Sequence, residues 1–249
     1  MIPKIIWQTY EVPFEELPQY IKDCAQTWKD NNPSWEYRYM DAKQRNEFVL
    51  NNFDKEWHNI FINLPYGVLK ADIWRHMVLY VYGGVYSDID TVCRSPIEFW
   101  LKEDMNTTYF IDYDFKYLCQ FVISSSKNNI IYKKILDLIK DKLTNKELIQ
   151  SMLGTSIQTF EENITGSIVC TEAIRKFLGI SENLDLINDY NKINTFKSLE
   201  EHKFFYYGKE SIEMLHNYPI KHLGASSIGN WTDGYIQWQK QEKITKEFL

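Results

Sequence analysis

Residues 82–90 have the sequence Tyr-Gly-Gly-Val-Tyr-Ser-Asp-Ile-Asp. The apolar side chains of the preceding residues 68–82 recur at steps of three and four, which predicts a helix. The glycine pair supplies a stop for that helix. Val85-Tyr86 then begins a short buried strand, which ends at Asp88 and Asp90, and we expect that strand end to face solvent.

The rest of the chain alternates helical and strand patterns around this segment. Asp41 has the side chain and the position of a helix N-cap. Strands alternating with helices predict an α/β fold. The further predicted strands are residues 4–9, 35–40, 109–111 and 121–124, and the further predicted helices are residues 18–30, 54–63, 129–141 and 167–178.

Composition narrows the class of protein. The 249 residues fit one domain, and 44% hydrophobic with 25% charged residues is typical of a globular protein. A net charge of −6 excludes a general nucleic-acid binder, which needs a basic surface. No secretory signal and no apolar run long enough to span a membrane is visible. With four cysteines and no CxxC pair, we expect reduced thiols and a cytoplasmic location.

Two carboxylates, Asp88 and Asp90, follow the predicted buried strand one residue apart. Ligands of open α/β sheets bind beyond the carboxyl ends of the strands. Hard oxygen ligands there suit Mn²⁺ or Mg²⁺, which can hold a diphosphate as it leaves. The alternative is a solvated turn. A second Asp-x-Asp pair, Asp112 and Asp114, also follows a predicted strand and is interpreted as an acceptor contact or a solvated turn.

Asp72 and Arg75 lie three residues apart on the predicted helix and therefore share one of its faces. They are either a surface ion pair or a clamp. In the clamp, the carboxylate of Asp72 accepts hydrogen bonds from sugar hydroxyls and the guanidinium of Arg75 reaches a sugar or phosphate.

Several blocks in this order resemble glycosyltransferase family 32, the DXD sugar transferases. They are Ile2-Pro3-Lys4-Ile5-Ile6-Trp7-Gln8-Thr9, Asn32-Pro33, Trp35-Glu36-Tyr37-Arg38, Ala71-Asp72-x-x-Arg75 and Leu79-Tyr80-x-Tyr82-Gly83-Gly84-Val85-Tyr86-x-Asp88-x-Asp90. The resemblance covers about the first hundred residues. It implies a GT-A fold, which is a Rossmann-like nucleotide-sugar-binding domain, here with additional helices. It also implies a UDP- or GDP-sugar donor, Mn²⁺ or Mg²⁺, and retention of anomeric configuration.

The resemblance also implies roles for individual residues. Trp7 would stack on the donor base, with Gln8 and Thr9 of the same block at the donor site, while an ordinary core position is the alternative for Trp7. Asp72 and Arg75 would hold the donor sugar. Asp90 would bind the metal directly, and Asp88 would act through the ribose, the sugar or water.

Two later segments resemble the family in part. Thr165-Gly166-Ser167 is similar to a Thr-Gly-Pro segment, with serine in place of proline. His222 falls in a late histidine-containing segment, and Trp231 stands later than the family's tryptophan. We expect His222 to be a further metal ligand and Ser226 and Ser227 to donate to phosphate. A surface histidine is the alternative.

These observations predict one GT-A domain over residues 1–249, with a donor half up to about 125 and an acceptor half from about 126. The predicted enzyme is a metal-dependent, retaining hexosyltransferase acting on a glycan, a lipid-linked acceptor or a protein. A toxin-like protein glycosyltransferase shares all the donor residues. Asp88 and Asp90 also fit the nucleophile pattern of haloacid-dehalogenase-type phosphatases, and aromatic richness allows a non-catalytic sugar-binding module.

Overall fold

A computed structural model describes residues 1–101, 103, 105–111, 117–179, 202–205 and 220–222. Four residues with predicted roles, Asp112, Asp114, Ser226 and Ser227, lie outside the described residues, so their predicted roles stay predictions.

The strands form a large mixed sheet and a small one. They are β1 (Ile5–Thr9), β2 (Glu36–Met40), β3 (Gly84–Ser87), β4 (Thr91–Cys93), β5 (Thr107–Ile111), β6 (Leu118–Ser125), β7 (His202–Phe205) and β8 (Ile220–His222). The large sheet has the order β2-β1-β3-β6-β5-β7, and β4 pairs with β8. β1 runs parallel to β2 and β3, whereas β6 runs antiparallel to β3 and β5.

The helices lie between and after these strands. They are α1 (Gln19–Asn31), α2 (Ala42–Asn52), α3 (Lys55–Asn63), α4 (Gly67–Tyr82), α5 (Ile130–Thr144), α6 (Lys146–Ser151), α7 (Ile157–Ile164) and α8 (Ser167–Leu178). The predicted α/β alternation is therefore confirmed. Asp41 caps α2 through a capping box with Gln44, as its position predicts. Gly83, with φ of +70°, ends α4 where the glycine stop was expected.

Two short elements were not predicted from the sequence. The strand β4 follows the Asp-x-Asp turn at once, and α7 was not predicted although Ser156 caps it and its apolar residues have helical spacing. Both are short, so each contains fewer than three repeats of the periodic apolar pattern from which a helix or a strand is predicted. Within the described residues, every helix is too short or too polar to cross a lipid bilayer.

The large sheet separates two parts of the core. Trp7, Trp74 and Tyr86 pack on one side with α4, α5 and α8, while Ile6 and Val85 pack on the other with Trp28 of α1. Neighbouring residues of a strand point to opposite faces, which explains why Ile6 and Trp7 belong to different clusters. The four cysteines are free and buried, in agreement with the reduced state expected of them.

Strand direction brings several chain segments to one edge of the sheet. Parallel β1 and β3 end at the same edge, and antiparallel β6 begins there. The backbone N–H of Asp88 donates to the carbonyl of Phe121 at 2.7 Å, which ties the end of β3 to the start of β6. Residues after β3 and at the start of β6 therefore meet beside the middle of α4.

Candidate active site

The centre of this edge is a buried ion-pair network formed by Asp72, Arg75 and Asp88. The Nη2 atom of Arg75 lies 3.0 Å from Oδ1 of Asp72 and 3.2 Å from Oδ1 of Asp88. Asp72 and Arg75 are buried, and the side chain of Asp88 is 24% exposed. The expectation of a shared helix face is thus met, but the pair is not on the protein surface.

Three neutral groups complete what we call the Arg75 network: Tyr86, Gln120 and Thr165. The hydroxyl of Tyr86 donates to Oδ1 of Asp88 at 2.6 Å, and the hydroxyl of Thr165 donates to Oδ2 of Asp72 at 2.8 Å. Gln120 accepts from Nη1 of Arg75 at 3.4 Å and donates to the carbonyl of Gly166. The predicted acceptor-side segment around Thr165 therefore contacts the predicted donor clamp.

Electrostatics keep this network charged. Burial alone would lower the pKa of Arg75, but its neighbours, led by Asp88, raise it above its ordinary value. Burial raises the pKa of Asp72, and Arg75 opposes that shift most strongly. The next residue, His76, is fully buried, and burial followed by the charge of Arg75 lowers its pKa to about 3. His76 is therefore neutral, and the positive charge at this point belongs to Arg75.

A further carboxyl group lies beside Asp72. Glu161, in the last turn of α7, is hydrogen-bonded through its side chain to Asp72. Burial, followed by the charge of Asp72, raises the pKa of Glu161 well above its ordinary value. Sequence reasoning missed Glu161 because α7 was not predicted. Gln120 was also missed, although a glutamine inside the apolar run of β6 is an available signal.

Asp90 corrects the expectation of a solvent-facing strand end. Asp90 is only 6% exposed and lies towards α1. Burial first, and the Asp90 charge second, raise the pKa of the Cys24 thiol to about 11 and that of Tyr20 above its ordinary value. The turn after β3 folds back against α1 because Thr91 returns into β4, and Trp28 donates to the hydroxyl and carbonyl of Thr91. Of the two carboxylates of Asp88 and Asp90, that of Asp88 is the one that is partly exposed.

Asp88 and Asp90 have the hard oxygen ligands that Mn²⁺ and Mg²⁺ prefer. No group of three His, Cys, Asp or Glu side chains that could hold an ion is found in the described part of the chain. Mg²⁺ sites are commonly built from one or two carboxylates plus substrate phosphates. Asp88 and Asp90 could therefore hold such an ion together with a diphosphate.

Trp7 is not placed to stack on a nucleobase, and that prediction is corrected. The indole is 0% exposed and its Nε1 donates to the carbonyl of Gly83 at 2.9 Å. Its ring stacks on Tyr82 at a centroid distance of 5.6 Å, and the guanidinium of Arg38 lies 5.1 Å from its centre. An enclosed indole has no exposed face for a base, so Trp7 is a core residue that joins β1 to the end of α4.

Gln8 and Thr9 are corrected from donor contacts to supporting residues. The Nε2 of Gln8 donates to the hydroxyl of Ser87 at 3.3 Å and to the carbonyl of Asp88 at 3.1 Å. Its Oε1 accepts from Tyr37 at 2.7 Å. Thr9 donates to the carbonyl of Met40 at 2.6 Å. Both side chains are buried, and Gln8 holds the backbone from which Asp88 projects.

The backbone of His222 lies beside the Asp-x-Asp turn. β8 pairs with β4 so that His222 is opposite Thr91, the residue after Asp90. Ligation of a metal by His222 stays a prediction.

Comparisons with known proteins bear on the family and the fold of this chain. The family described as "Glycosyltransferase sugar-binding region containing DXD motif" matches residues 18–107. An initiation-specific alpha-1,6-mannosyltransferase of Candida albicans is 26% identical over 204 residues, covering 71% of this chain and 53% of the relative. One of Schizosaccharomyces pombe is 30% identical over 205 residues, covering 71% and 49%. The chain therefore spans about half the length of these curated relatives.

A solved structure titled PaToxG Glycosyltransferase is similar in fold. It has a TM-score of 0.57 and 17% sequence identity, and the match covers 80% of this chain and 78% of that one. The predicted GT-A fold and the predicted resemblance to DXD glycosyltransferases are both confirmed.

Proposed function

We propose that this chain, which carries the DXD sugar-binding region of the glycosyltransferases, is a transferase. The proposed reaction moves a hexose from a nucleotide-diphosphate sugar to an acceptor. The observation that carries the proposal is the buried ion-pair network in which Arg75 joins Asp72 to Asp88 of the DXD motif. An α/β fold binds its ligands beyond the carboxyl ends of its parallel strands, and the buried charged network lies at that edge of the sheet. The predicted single domain is part of the same proposal, because Thr165 contacts Asp72 across the predicted halves.

Asp72 and Arg75 are proposed to orient the donor sugar. A carboxylate has about four acceptor positions, so Asp72 can accept from a sugar hydroxyl while keeping Arg75 and Thr165. Arg75 stays charged across the working pH range and places positive charge near the departing phosphate. Its planar fork also fixes the direction of the hydrogen bonds that it donates.

Asp88 and Asp90, with His222, are the residues proposed to hold Mn²⁺ or Mg²⁺ together with the diphosphate. Such an ion, when bound, neutralises the charge that the diphosphate gains as it leaves. Gln8 and Tyr86 hold Asp88 in position from its backbone and side-chain ends. We propose attack on the face that the diphosphate leaves, with retention of configuration. Product NMR showing an inverted linkage contradicts this part of the proposal.

The donor and acceptor are proposed from the relatives and from the site. The two curated relatives are mannosyltransferases by name, so GDP-mannose is the first donor to test, with UDP-hexoses next. The acceptor is a glycan, a lipid-linked sugar or a protein. Two alternative functions can be distinguished from a transferase by experiment. A phosphatase would cleave phosphate esters, and a sugar-binding module would not need Asp90.

A thermal-shift screen tests the function. The full chain is heated with UDP-, GDP- and CMP-sugars, each with and without Mn²⁺. A selected nucleotide sugar at about 100 times its Kd stabilises the protein by about 2.7 kcal/mol, and so raises Tm by roughly 5–10 °C. The proposal expects this rise to require Mn²⁺ and to be lost in Asp90→Asn. A Tm that no nucleotide sugar changes contradicts it.

A further inference from the structure

The turn between α7 and α8 places Glu161 against the Arg75 network. The backbone carbonyl of Glu161 accepts from the N–H groups of Thr165 at 2.9 Å and Gly166 at 2.7 Å. This turn brings the hydroxyl of Thr165 to Asp72 and leaves the carboxyl of Glu161 directly over Gly166. A β-carbon on Gly166 would collide with that carboxyl and with the backbone of Glu162, so glycine leaves the room that Glu161 occupies.

The charges around Glu161 make its carboxyl group unusual. Arg75 supplies one positive charge, and it already pairs with two carboxylates, Asp72 and Asp88. A third ionised carboxylate in contact with the buried Asp72 would add a negative charge that Arg75 does not compensate, which is costly. Two carboxyl groups that hydrogen-bond to each other must also hold a proton between them.

We propose that Glu161 is a positioning residue, protonated in the working enzyme, whose carboxyl O–H donates to Asp72 and holds that carboxylate towards Arg75. With Thr165, it would occupy the side of Asp72 that Arg75 does not use. Its effect on catalysis rests on the proposed function, whereas the proton on Glu161 does not.

The surroundings assign the proton to Glu161 rather than to Asp72. Asp72 is stabilised as an anion by Arg75 and by the Thr165 hydroxyl, whereas Glu161 also faces the acidic Glu162. Burial raises the pKa of Glu161, and Asp72 raises it further. The titratable groups around the pair are Arg75 and His76 on α4, Tyr86 and Asp88 at the end of β3, Glu162 on α7 and Cys170 on α8.

Protonation makes the site sensitive to alkaline pH. When the pH rises through the folded-state pKa of Glu161, both carboxylates become ionised and repel each other, so Asp72 loses its orientation. The pKa is higher in the folded than in the unfolded chain. The stability contribution of Glu161 is therefore full below the unfolded-state pKa, falls as the pH rises above that value, and is lost once the pH has passed the folded-state pKa. Glu161→Gln keeps a neutral hydrogen-bond donor and removes the titration.

Carbon-13 NMR of the wild-type chain tests the proton without any ligand. The side-chain carboxyl resonance of Glu161, assigned through bonds, is followed from acidic to alkaline pH. We expect Glu161 to keep its protonated chemical shift well above the ordinary glutamate pKa of about 4.3. Loss of the protonated chemical shift at that ordinary pKa overturns the inference, and this result does not depend on the folding of any variant.

The pH profile of Mn²⁺-dependent donor hydrolysis tests the catalytic consequence, using the nucleotide sugar that raises Tm most. We expect kcat/KM of wild type and the matched control Glu147→Gln to fall at alkaline pH, and that of Glu161→Gln to stay level. Glu161→Ala should lose about ten- to hundredfold at every pH. An alkaline fall that persists in Glu161→Gln overturns the positioning role. Wild type that neither binds nor hydrolyses any donor overturns the proposed function instead, and the NMR result still decides the proton.

Discussion

Arg75 shows at the scale of one residue how the site is held. It joins Asp72, one helical turn away on α4, to Asp88, which the chain reaches only after β3. A guanidinium can do this because its five N–H donors form a rigid fork. Breaking a buried ion pair by removing one partner commonly costs about 3–5 kcal/mol. The Arg75 network is therefore stable only as a complete set.

Asp72→Asn tests the sugar-orienting role. The amide keeps the size of the side chain but loses the charge facing Arg75. Because Asp88 still pairs with Arg75, we expect the free energy of unfolding to fall by only about 1–3 kcal/mol. Donor turnover should fall further than affinity for the free nucleoside diphosphate, because the proposed contact is to the sugar. Calorimetric titration with UDP and GDP, beside kcat measurement, separates the two.

The control is Asp137→Asn, which removes the carboxylate of an exposed i,i+4 ion pair with Lys133 on α5. Asp137→Asn should change neither donor turnover nor the affinity for the free nucleoside diphosphate, since an exposed ion pair contributes little. Equal losses of nucleotide and nucleotide-sugar binding in Asp72→Asn contradict the proposed role.

Gln8→Ala tests whether a buried residue of β1 supports the DXD turn. The change removes hydrogen bonds to Ser87, to the Asp88 carbonyl and from Tyr37, so we expect about 1–3 kcal/mol of destabilisation. The Mn²⁺ concentration for half-maximal activity should rise, because Asp88 loses its backbone anchor. Gln26→Ala is the control, since Gln26 bonds only to Asp30 on the exposed side of α1. An unchanged Mn²⁺ requirement removes Gln8 from the support of the site.

At the scale of elements, the junction of α4 and β3 determines where Asp88 projects. α4 ends at Gly83, whose carbonyl accepts from Trp7, and β3 starts at once with Gly84 at φ of +111°. A β-carbon on Gly84 would lie 2.6 Å from the carbonyl oxygen of Ile5 on the neighbouring parallel strand. The close approach of two backbones therefore requires glycine here.

Gly84→Ala should displace β3 and the DXD turn that follows it. Gly179→Ala is a matched control, because Gly179 also has a positive φ, of +66°, but no atom of the described residues lies within 4 Å of its added β-carbon. We expect Gly179→Ala to cost about 1 kcal/mol from backbone strain alone, and Gly84→Ala about 1–3 kcal/mol more from overlap. Urea unfolding measures both values. Equal costs for the two changes show that β1 does not constrain Gly84.

At the scale of the whole molecule, the site is assembled from several segments of the chain, some of them far apart in sequence. α4 carries Asp72 and Arg75, and the turn after β3 carries Asp88. The turn before α8 contributes Thr165, and the late strand β8 pairs with β4 beside that turn. Such contacts close long loops, so their entropy is recovered only when the whole sheet and its helices have packed.

His222→Ala tests the contribution of the last of these parts. If His222 is a metal ligand, as the placement of its backbone opposite Thr91 suggests, the Mn²⁺ concentration for half-maximal activity should rise about tenfold. His58→Ala is the control. It removes a histidine of α3, a helix that carries no residue of the proposed site, and should leave the Mn²⁺ titration unchanged. Identical titrations of His222→Ala and wild type exclude His222 as a ligand.

Patterns among residues close together in the sequence were sufficient to predict much of the secondary structure. The helix before Gly83, the cap at Asp41 and the strand leading to Asp88 were all predicted within a few residues of their observed bounds. Each depends on side-chain spacing or on one cap, and both act within a few residues of the chain. The same local signals, in their order along the chain, were enough to predict the α/β class and the resemblance to a sugar transferase.

Tertiary packing determined which of these residues face a ligand. Trp7 is enclosed by Tyr82 and neighbouring side chains, and Gln8 turns towards Asp88, so neither has the donor contact that its position in the sequence suggested. Glu161 lies beside Asp72 because α7 packs against α5 and α8, and α5 packs against α4, although nothing in the spacing of the two residues relates them. Burial, and therefore protonation, depends on the packing of segments far apart in sequence, which local periodicity does not encode.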